Sequence, residues 1–324
     1  MDAHHHRLLP PPLLAAWLFF FLVGPPVCAA AGLHPVVLLP GYGCGQLDAR
    51  LTAGYDPAAA PSCGGAAREW GEGGWFRLWE NYTALREDPS LAPCYAELLR
   101  LTYDPVAGDY RNVPGVETRV AAFGSTRGFG SEDPARKNNC MERLVLSLEL
   151  AGYTEGENLF GASYDLRQAA AAPEQASAAF SDFSSSLTLL VERASRRNGG
   201  RPAILVTHSL GGLNAVVFLQ RSPLPWRRRY VKHLVMVSTG AGGSVPLLPV
   251  GGGPAPPPGD VLSFGGASRS FAVPFLVLPS PRVFGHAPLV ITRARNYSAY
   301  EMAELLAAAG FSGDEVARCQ LPST

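Results

Sequence analysis

The strongest constraint on the fold is a strand, a sharp turn and a helix within residues 202–219. Residues 203–206 (Ala-Ile-Leu-Val) are an apolar run typical of a buried strand, residues 207–211 (Thr-His-Ser-Leu-Gly) form the turn, and residues 213–219 begin a helix. A serine in a small-x-Ser-x-Gly turn between a strand and a helix has the geometry of a nucleophile elbow. The pattern predicts Ser209 as a nucleophile, with a serine in an ordinary strand-to-helix turn as the alternative.

One position of this turn departs from the usual pattern. The strained serine backbone requires small residues two positions before and after it, so that strand and helix can pass closely. Gly211 meets this requirement, but Thr207 is larger than the usual glycine. A nucleophilic Ser209 also needs a base and amide donors for its tetrahedral adduct. The Leu210 amide, near the helix N-terminus, is the first predicted donor.

A glycine-rich loop near the start of the chain predicts the second donor. Residues 35–40 (Pro-Val-Val-Leu-Leu-Pro) are typical of a buried strand, and residues 41–45 (Gly-Tyr-Gly-Cys-Gly) follow at once. Because this loop follows an early strand, as the hydrolase arrangement requires, we expect the Tyr42 backbone amide to face the oxyanion. Gly41 and Gly43 would allow close backbone approach, and a plain tight turn is the alternative.

Strands alternate with helices along much of the chain. Residues 159–164 and 231–237 resemble further strands, and residues 139–151 and 176–193 carry apolar side chains at helical spacing. Such alternation predicts a mostly parallel sheet.

Two segments interrupt this alternation. Residues 51–100 are expected to be irregular, and the aromatic residues between Cys63 and Cys94 suggest a lid-like excursion pinned by a disulfide, with aromatic core as the alternative. Residues 240–266 are rich in glycine and proline, which indicates a long surface excursion. The aromatic residues concerned are Trp70, Trp75, Phe76 and Trp79.

Composition limits the class of protein and its partners. The 27 basic and 27 acidic side chains balance, so the chain has no net field to attract nucleic acid. Hydrophobic residues make up 47% of the chain and charged residues 17%, which excludes a disordered protein. A length of 324 residues accommodates one large catalytic domain with an inserted cap, or two smaller domains.

Residues 1–31 predict a cleaved signal peptide. They combine a polar start ending at Arg7, an apolar stretch over residues 13–23 and small residues near a plausible cleavage point. A membrane anchor is the alternative, but prolines keep the apolar run well below the roughly 20 residues that a span needs. Since disulfides persist in the secretory pathway and five cysteines follow, at least one thiol is expected to stay unpaired within the chain. These are Cys44, Cys63, Cys94, Cys140 and Cys319.

Several motifs occur in one order along nearly all of the chain after residue 31. They are residues 40–48 (Pro-Gly-Tyr-Gly-Cys-Gly-Gln-Leu-Asp), 114–120 (Pro-Gly-Val-Glu-Thr-Arg-Val) with Phe123-Gly124, 164–167 (Tyr-Asp-Leu-Arg), 207–212 (Thr-His-Ser-Leu-Gly-Gly) and 296–300 (Asn-Tyr-Ser-Ala-Tyr). Their order resembles the lecithin:cholesterol acyltransferase family, and the pattern is similar to its plant members and to its lysosomal phospholipases. The resemblance implies an α/β-hydrolase fold over residues 32–324, with a lid at about 51–100, a cap at about 240–310, and no metal or organic cofactor.

The resemblance also implies an activity and a location. Ser209 would cleave the acyl ester of a glycerophospholipid through an acyl-serine, at a membrane or lipid surface. The acyl group would then pass to a sterol, to another lipid alcohol or to water. The implied location is the secretory pathway, either extracellular or vacuolar and lysosomal.

The family pattern also implies roles for individual residues. Cys63 and Cys94 would pair to close the lid, and Cys44 in the oxyanion loop would be a structural thiol rather than a catalytic one. Asp165 and Arg167 would form a structural ion pair near the site. Leu166 stands where the family usually has tryptophan.

The acid and base partners of Ser209 are missing from their expected places. In these hydrolases Asp and then His follow the serine, far beyond the elbow. Asp260 and His286 have the right order but lie in the glycine-proline excursion and in a cap-like stretch, whereas His208 and His233 are expected to be structural. The expectation is therefore a chain that lacks the C-terminal part of the family's domain and its activity, as a truncated form or, less readily, as a lipid-binding relic.

Surface signals fit a secreted protein. Asn81-Tyr-Thr83 and Asn296-Tyr-Ser298 predict N-glycosylation acceptors. Residues 227–229 (Arg-Arg-Arg) are expected to form a solvated turn, with contact to lipid headgroups as the alternative.

Overall fold

The computed structural model describes residues 32–58, 61–63, 74–130, 140–170, 177–245 and 267–318. The strands are β1 (Val36–Leu39), β2 (Leu47–Leu51), β3 (Phe76–Trp79), β4 (Leu101–Asp104), β5 (Asp109–Asn112), β6 (Val116–Val120), β7 (Leu159–Gly161), β8 (Ala203–His208), β9 (Val231–Val237), β10 (Val290–Ile291) and β11 (Asn296–Tyr297). The helices are α1 (Tyr82–Glu87), α2 (Ala92–Leu99), α3 (Glu142–Leu150), α4 (Ala178–Arg197), α5 (Leu210–Arg221), α6 (Leu224–Tyr230), α7 (Val273–Leu276), α8 (Pro281–Phe284), α9 (Met302–Ala308) and α10 (Gly313–Arg318).

A four-stranded parallel sheet organises the fold, in the order β7-β1-β8-β9. Strand β1 pairs with β7 on one side and with β8 on the other, and β8 pairs with β9. The carboxyl ends of all four strands therefore lie along one edge of the sheet, where loops from different strands can meet. Antiparallel pairs form separate small sheets, of which the largest is β3-β2-β6.

Helices cover both faces of the parallel sheet. All four residues of β1 are buried, as expected for a strand with packing on each face. Val37 and Leu39 belong to the main core together with apolar residues of α4 and α5, whereas Val36 and Leu38 pack with residues next to and within α3. The mixed α/β architecture with a mostly parallel sheet is thus the one that the alternating pattern predicted.

The prediction that residues 51–100 are irregular is wrong. The described part of this segment contains β3, α1 and α2, and Tyr95, Leu98 and Leu99 on α2 are buried in the main core. The pattern failed because α1 and α2 are short and separated by Pro89, so neither shows a sustained helical period. Trp70 lies outside the described residues.

One outer edge of the parallel sheet is β9. No described strand pairs with its free side, and Val235, Met236 and Val237 are 43%, 48% and 45% exposed. Among the described helices, none is both long and apolar enough to cross a membrane. The predicted signal peptide, most of residues 240–266, and both Asp260 and Cys319 lie outside the described residues.

Candidate active site

Ser209 stands on a strained turn at the carboxyl edge of the sheet. Strand β8 ends at His208, helix α5 begins at Leu210, and Ser209 between them has φ 49° and ψ −121°. A positive φ in a residue other than glycine costs about 1–3 kcal/mol and persists only where the surroundings impose it. Here the Ser209 amide donates to the Val237 carbonyl at 2.9 Å, and the Ser209 carbonyl accepts from the Gly212 amide at 2.9 Å.

Close packing explains why two glycines follow the serine. A β-carbon on Gly211 would lie 2.4 Å from the Pro40 carbonyl oxygen, and one on Gly212 would lie 2.0 Å from Thr239 Oγ1. Helix α5 can therefore approach the end of β1 only without a side chain at residue 211, and it can approach Thr239 after β9 only without one at residue 212. Thr207 fits because its side chain is buried and its hydroxyl donates to the Val235 carbonyl at 3.2 Å.

The glycine-rich loop after β1 lies directly beside the serine. A β-carbon on Gly41 would be 3.3 Å from Ser209 Cβ and 2.6 Å from His208 Nδ1, so the loop backbone contacts both residues. Within the described part of the chain, neither the Tyr42 amide nor the Leu210 amide donates a hydrogen bond to another backbone group. Two amide donors are thus left available next to a serine on a strained turn.

The loop is held in place at several points. The buried Tyr164 hydroxyl donates to the Pro40 carbonyl at 2.7 Å, and the Trp79 indole donates to the Gly43 carbonyl at 2.7 Å. Gly45 lies against the Tyr164 carbonyl, where a β-carbon would come within 2.7 Å. Burial raises the pKa of the Tyr42 phenol to about 12, and burial also raises the pKa of the Tyr164 phenol.

The expectation of a free structural thiol at Cys44 is wrong. Cys44 forms a disulfide with Cys140, which precedes α3, and the second disulfide joins Cys63 to Cys94 as the resemblance implies. No sequence signal could assign the Cys44 partner because 96 residues separate the two cysteines. The four cysteines within the described residues are therefore all paired.

A buried ion pair lies next to the loop anchor. Arg167 is fully buried, and its guanidinium donates to both carboxylate oxygens of Asp165, at 2.9 and 2.6 Å. It also donates to the Leu99 carbonyl at 3.3 Å and to Thr118 Oγ1 at 2.9 Å. This network ties the segment after β7 to α2 and β6, which suits a structural role and leaves Asp165 engaged.

Within the described residues, no acidic or basic side chain forms a hydrogen bond with Ser209. His233 pairs with Ile204 in the sheet, five residues before the serine, or about 16 Å at the usual rise of about 3.3 Å per residue. His286 stacks on Tyr300 with ring centroids 4.4 Å apart. His208 lies under the Gly41 loop, and its buried Nδ1 has no hydrogen-bond partner among the described residues.

A small cavity of about 140 Å³ opens beside the loop. Its lining includes Tyr42, Gly43, Trp79 and the two disulfide-bonded cysteines, Cys44 and Cys140. The cavity therefore borders the loop on the side of this disulfide, and Ser209 is not among its lining residues.

The two predicted glycosylation acceptors differ in their surroundings. Asn81 caps α1, with its Oδ1 accepting from the Ala84 amide at 3.2 Å and its Nδ2 donating to the Tyr95 hydroxyl at 3.1 Å. Asn296 is exposed on β11. The arginines at 227–229 lie on α6, at the edge where β9 begins, and hence at the opposite end of the sheet from Ser209.

Sequence comparisons relate the chain to proteins named as acyltransferases and phospholipases. The model of the lecithin:cholesterol acyltransferase family matches residues 75–250. Lecithin-cholesterol acyltransferase-like 1 of Oryza sativa subsp. japonica is 46% identical over 283 residues, covering 86% of this chain and 62% of the relative. The Arabidopsis thaliana protein of the same name is 37% identical over 305 residues (88% and 68%), and human lysosomal phospholipase A and acyltransferase is 32% identical over 223 residues (68% and 50%). The chain thus spans from half to about two thirds of the length of these relatives.

Proposed function

Because the chain belongs to the lecithin:cholesterol acyltransferase family, we propose that it is an α/β-hydrolase in which Ser209 attacks the acyl ester of a glycerophospholipid. The observation that carries this proposal is the positive φ of Ser209 at the end of β8, with Gly41 of the neighbouring loop against its side chain. A hydroxyl displayed on such a turn is accessible to an ester carbonyl, whereas a serine inside a regular helix is not.

The proposed acylation step uses two peptide amides. As the Ser209 oxygen bonds to the ester carbonyl, negative charge develops on the carbonyl oxygen, and the amides of Tyr42 and Leu210 stabilise it. Such preorganised donors lower the barrier by about 3–4 kcal/mol each, because they need no reorientation when the charge appears. Collapse of the adduct breaks the ester bond, and the proton lost by the Ser209 hydroxyl passes to the departing oxygen, which leaves an acyl-serine and a lysophospholipid alcohol.

The second step transfers the acyl group to a sterol, another lipid alcohol or water. The name of the human relative, lysosomal phospholipase A and acyltransferase, combines both activities, which supports a common acyl-enzyme for both outcomes. The described disulfides support passage through the secretory pathway. We further propose that residues of about 51–100 form the lid and residues of about 240–310 the cap over a lipid-facing site.

A catalytically dead lipid-binding relic is the second candidate. It is favoured by His233, which pairs in the sheet five residues before Ser209, and by His286, whose ring stacks on Tyr300. A serine without its base loses several orders of magnitude in rate. The two candidates therefore differ in whether Ser209 is activated.

Labelling with a fluorophosphonate tests the nucleophile. We expect mass spectrometry to find the adduct on Ser209, and Ser209→Ala to abolish it. Ser238 is a matched control because it follows β9 as Ser209 follows β8 and also has a positive φ, of 50°. Ser238→Ala should label as wild type, and an adduct on Ser238 in place of Ser209 contradicts the proposal.

The pH dependence of labelling separates the two candidates. With a working base, the rate should level off above the pKa of that base, near neutral pH for a histidine of ordinary pKa. Without one, the rate should keep rising with pH, because only the small alkoxide fraction reacts. A plateau supports the acyltransferase, and a continuous rise supports the relic.

A further inference from the structure

The two disulfides differ in their access to solvent. Cys63 and Cys94 are both completely buried. Cys140 is exposed and Cys44 is half-buried at the rim of the small cavity. Because thiol–disulfide exchange requires a thiolate to reach a sulfur atom, a dissolved dithiol should reduce the Cys44–Cys140 bond first.

Cys44 belongs to the loop that would bind the oxyanion. It lies two residues after Tyr42, and its amide donates to the Gly41 carbonyl at 3.2 Å. This hydrogen bond closes the turn that contains Tyr42. A displacement of Cys44 would therefore open the turn and move the Tyr42 amide.

Cys140 provides a fixed point for that loop. It has φ 58° and immediately precedes Met141, which is 4% exposed and packs with Leu38 and Leu159 of the parallel sheet. Helix α3 begins at the next residue. The disulfide thus joins the Tyr42 loop to an element packed on the sheet, 96 residues away in the chain.

We propose that the Cys44–Cys140 disulfide is a reducible clamp that positions the Tyr42 amide opposite Ser209. Its effect on catalysis rests on the proposed function, but its effect on the loop does not. After reduction, the hydrogen bonds from Tyr164 and Trp79 still hold Pro40 and Gly43, so the loop keeps its fold while its turn loosens. Cys44 and Cys140 are positioning residues in this proposal.

The chemistry requires a dithiol as reductant. One thiolate of the dithiol attacks Cys140 Sγ, the bond between the two protein sulfurs breaks, and Cys44 leaves as a thiolate that takes up a proton. The second thiol of the reductant then attacks the mixed disulfide and releases Cys140. The protein gains two electrons and two protons, and the dithiol is oxidised to its disulfide.

The first test measures the loop itself. Wild-type protein would be treated with dithiothreitol under conditions in which mass mapping shows Cys44–Cys140 reduced and Cys63–Cys94 intact. Hydrogen exchange should then accelerate at the amides of residues 41–45 and stay unchanged in β8 and α4, and reoxidation should restore protection. Equal exchange of the loop in both redox states overturns the clamp, whatever happens to activity.

The second test measures the chemistry at Ser209. Fluorophosphonate labelling should slow by at least about tenfold on reduction, with the reagent's binding constant little changed, because a misplaced donor affects the transition state more than binding. A Cys44→Ser, Cys140→Ser double variant should label at the rate of the reduced wild-type protein. Dithiothreitol should not change that rate. Where the oxidised protein is labelled at Ser209, an equal labelling rate in the reduced protein also overturns the clamp.

The same pair of measurements separates this proposal from the proposed function. No label on Ser209 of the oxidised protein, together with redox-dependent exchange of the loop, refutes the proposed function and supports the clamp. Labelling of Ser209 that is independent of the redox state supports the function and refutes the clamp.

Discussion

A β-carbon on Gly211 would lie 2.4 Å from the carbonyl oxygen of Pro40. The same oxygen accepts the Tyr164 hydroxyl at 2.7 Å. The Pro40 carbonyl is therefore enclosed between helix α5, which follows Ser209, and Tyr164, which anchors the Tyr42 loop. The relative position of Ser209 and Tyr42 is set at this contact.

Gly211→Ala should push helix α5 away from the end of β1. The added methyl group meets backbone oxygens of Pro40 and Leu39, which cannot rotate away as a side chain could. We expect the free energy of unfolding to fall by about 3 kcal/mol or more, at or above the upper range for overpacking. Gly313→Ala is the control, because its β-carbon meets open space, and denaturant unfolding should change by less than about 1 kcal/mol. Similar effects of both changes would contradict the close approach.

Tyr164→Phe should leave the loop backbone without a donor. The ring keeps its edge-to-face contact with Phe183, at 5.6 Å between centroids, so only the hydroxyl is lost. A buried carbonyl without its partner costs about 1–3 kcal/mol, which denaturant unfolding measures. Labelling of Ser209 should slow as well. Tyr300→Phe, at a side chain that is 59% exposed, should alter neither quantity.

Arg167→Met should be among the most destabilising substitutions in the chain. It removes the partner of Asp165 from a buried site and leaves that carboxylate uncompensated, at a cost of about 3–5 kcal/mol. Arg196→Ala is the comparison, because its ion pair with Glu192 is on the surface of α4 and contributes about 0.5 kcal/mol or less. Thermal unfolding of the two variants measures the difference, and equal shifts would show that the buried pair is dispensable.

The parallel strands could be predicted from the sequence because their apolar runs are local. Residues 35–40, 159–164, 203–206 and 231–237 each contain or overlap a strand of the sheet. The turn at Ser209 could likewise be predicted from the sequence, since its strand, small residue and helix are contiguous. Local patterns thus gave the central sheet and the position of the serine.

Long-range relationships could not be predicted in the same way. The Cys44–Cys140 bond and the Tyr164–Pro40 hydrogen bond join residues far apart in the chain, and no spacing rule specifies them. Thr207 looked oversized because its hydroxyl partner, the Val235 carbonyl, is on a neighbouring strand. These features depend on packing between elements rather than on pattern within one.

The two glycosylation acceptors should behave differently. Asn296 is exposed, whereas the Asn81 amide caps α1 and contacts Tyr95. In protein made by a secretory host, we expect a glycan on Asn296 and little or none on Asn81, measured by peptide mass before and after glycan removal. Asn81→Ala should also lower stability by about 1 kcal/mol through loss of the cap. Full occupancy of Asn81 in a stable protein would contradict the assigned cap.

The most direct measurement of the central claim is a crystal structure of the chain with a phosphonate bound covalently to Ser209. The account predicts that one phosphonyl oxygen lies within hydrogen-bonding distance, about 2.7–3.1 Å, of both the Tyr42 and the Leu210 amide nitrogens. An adduct on another residue, or a phosphonyl oxygen directed away from both amides, would contradict it.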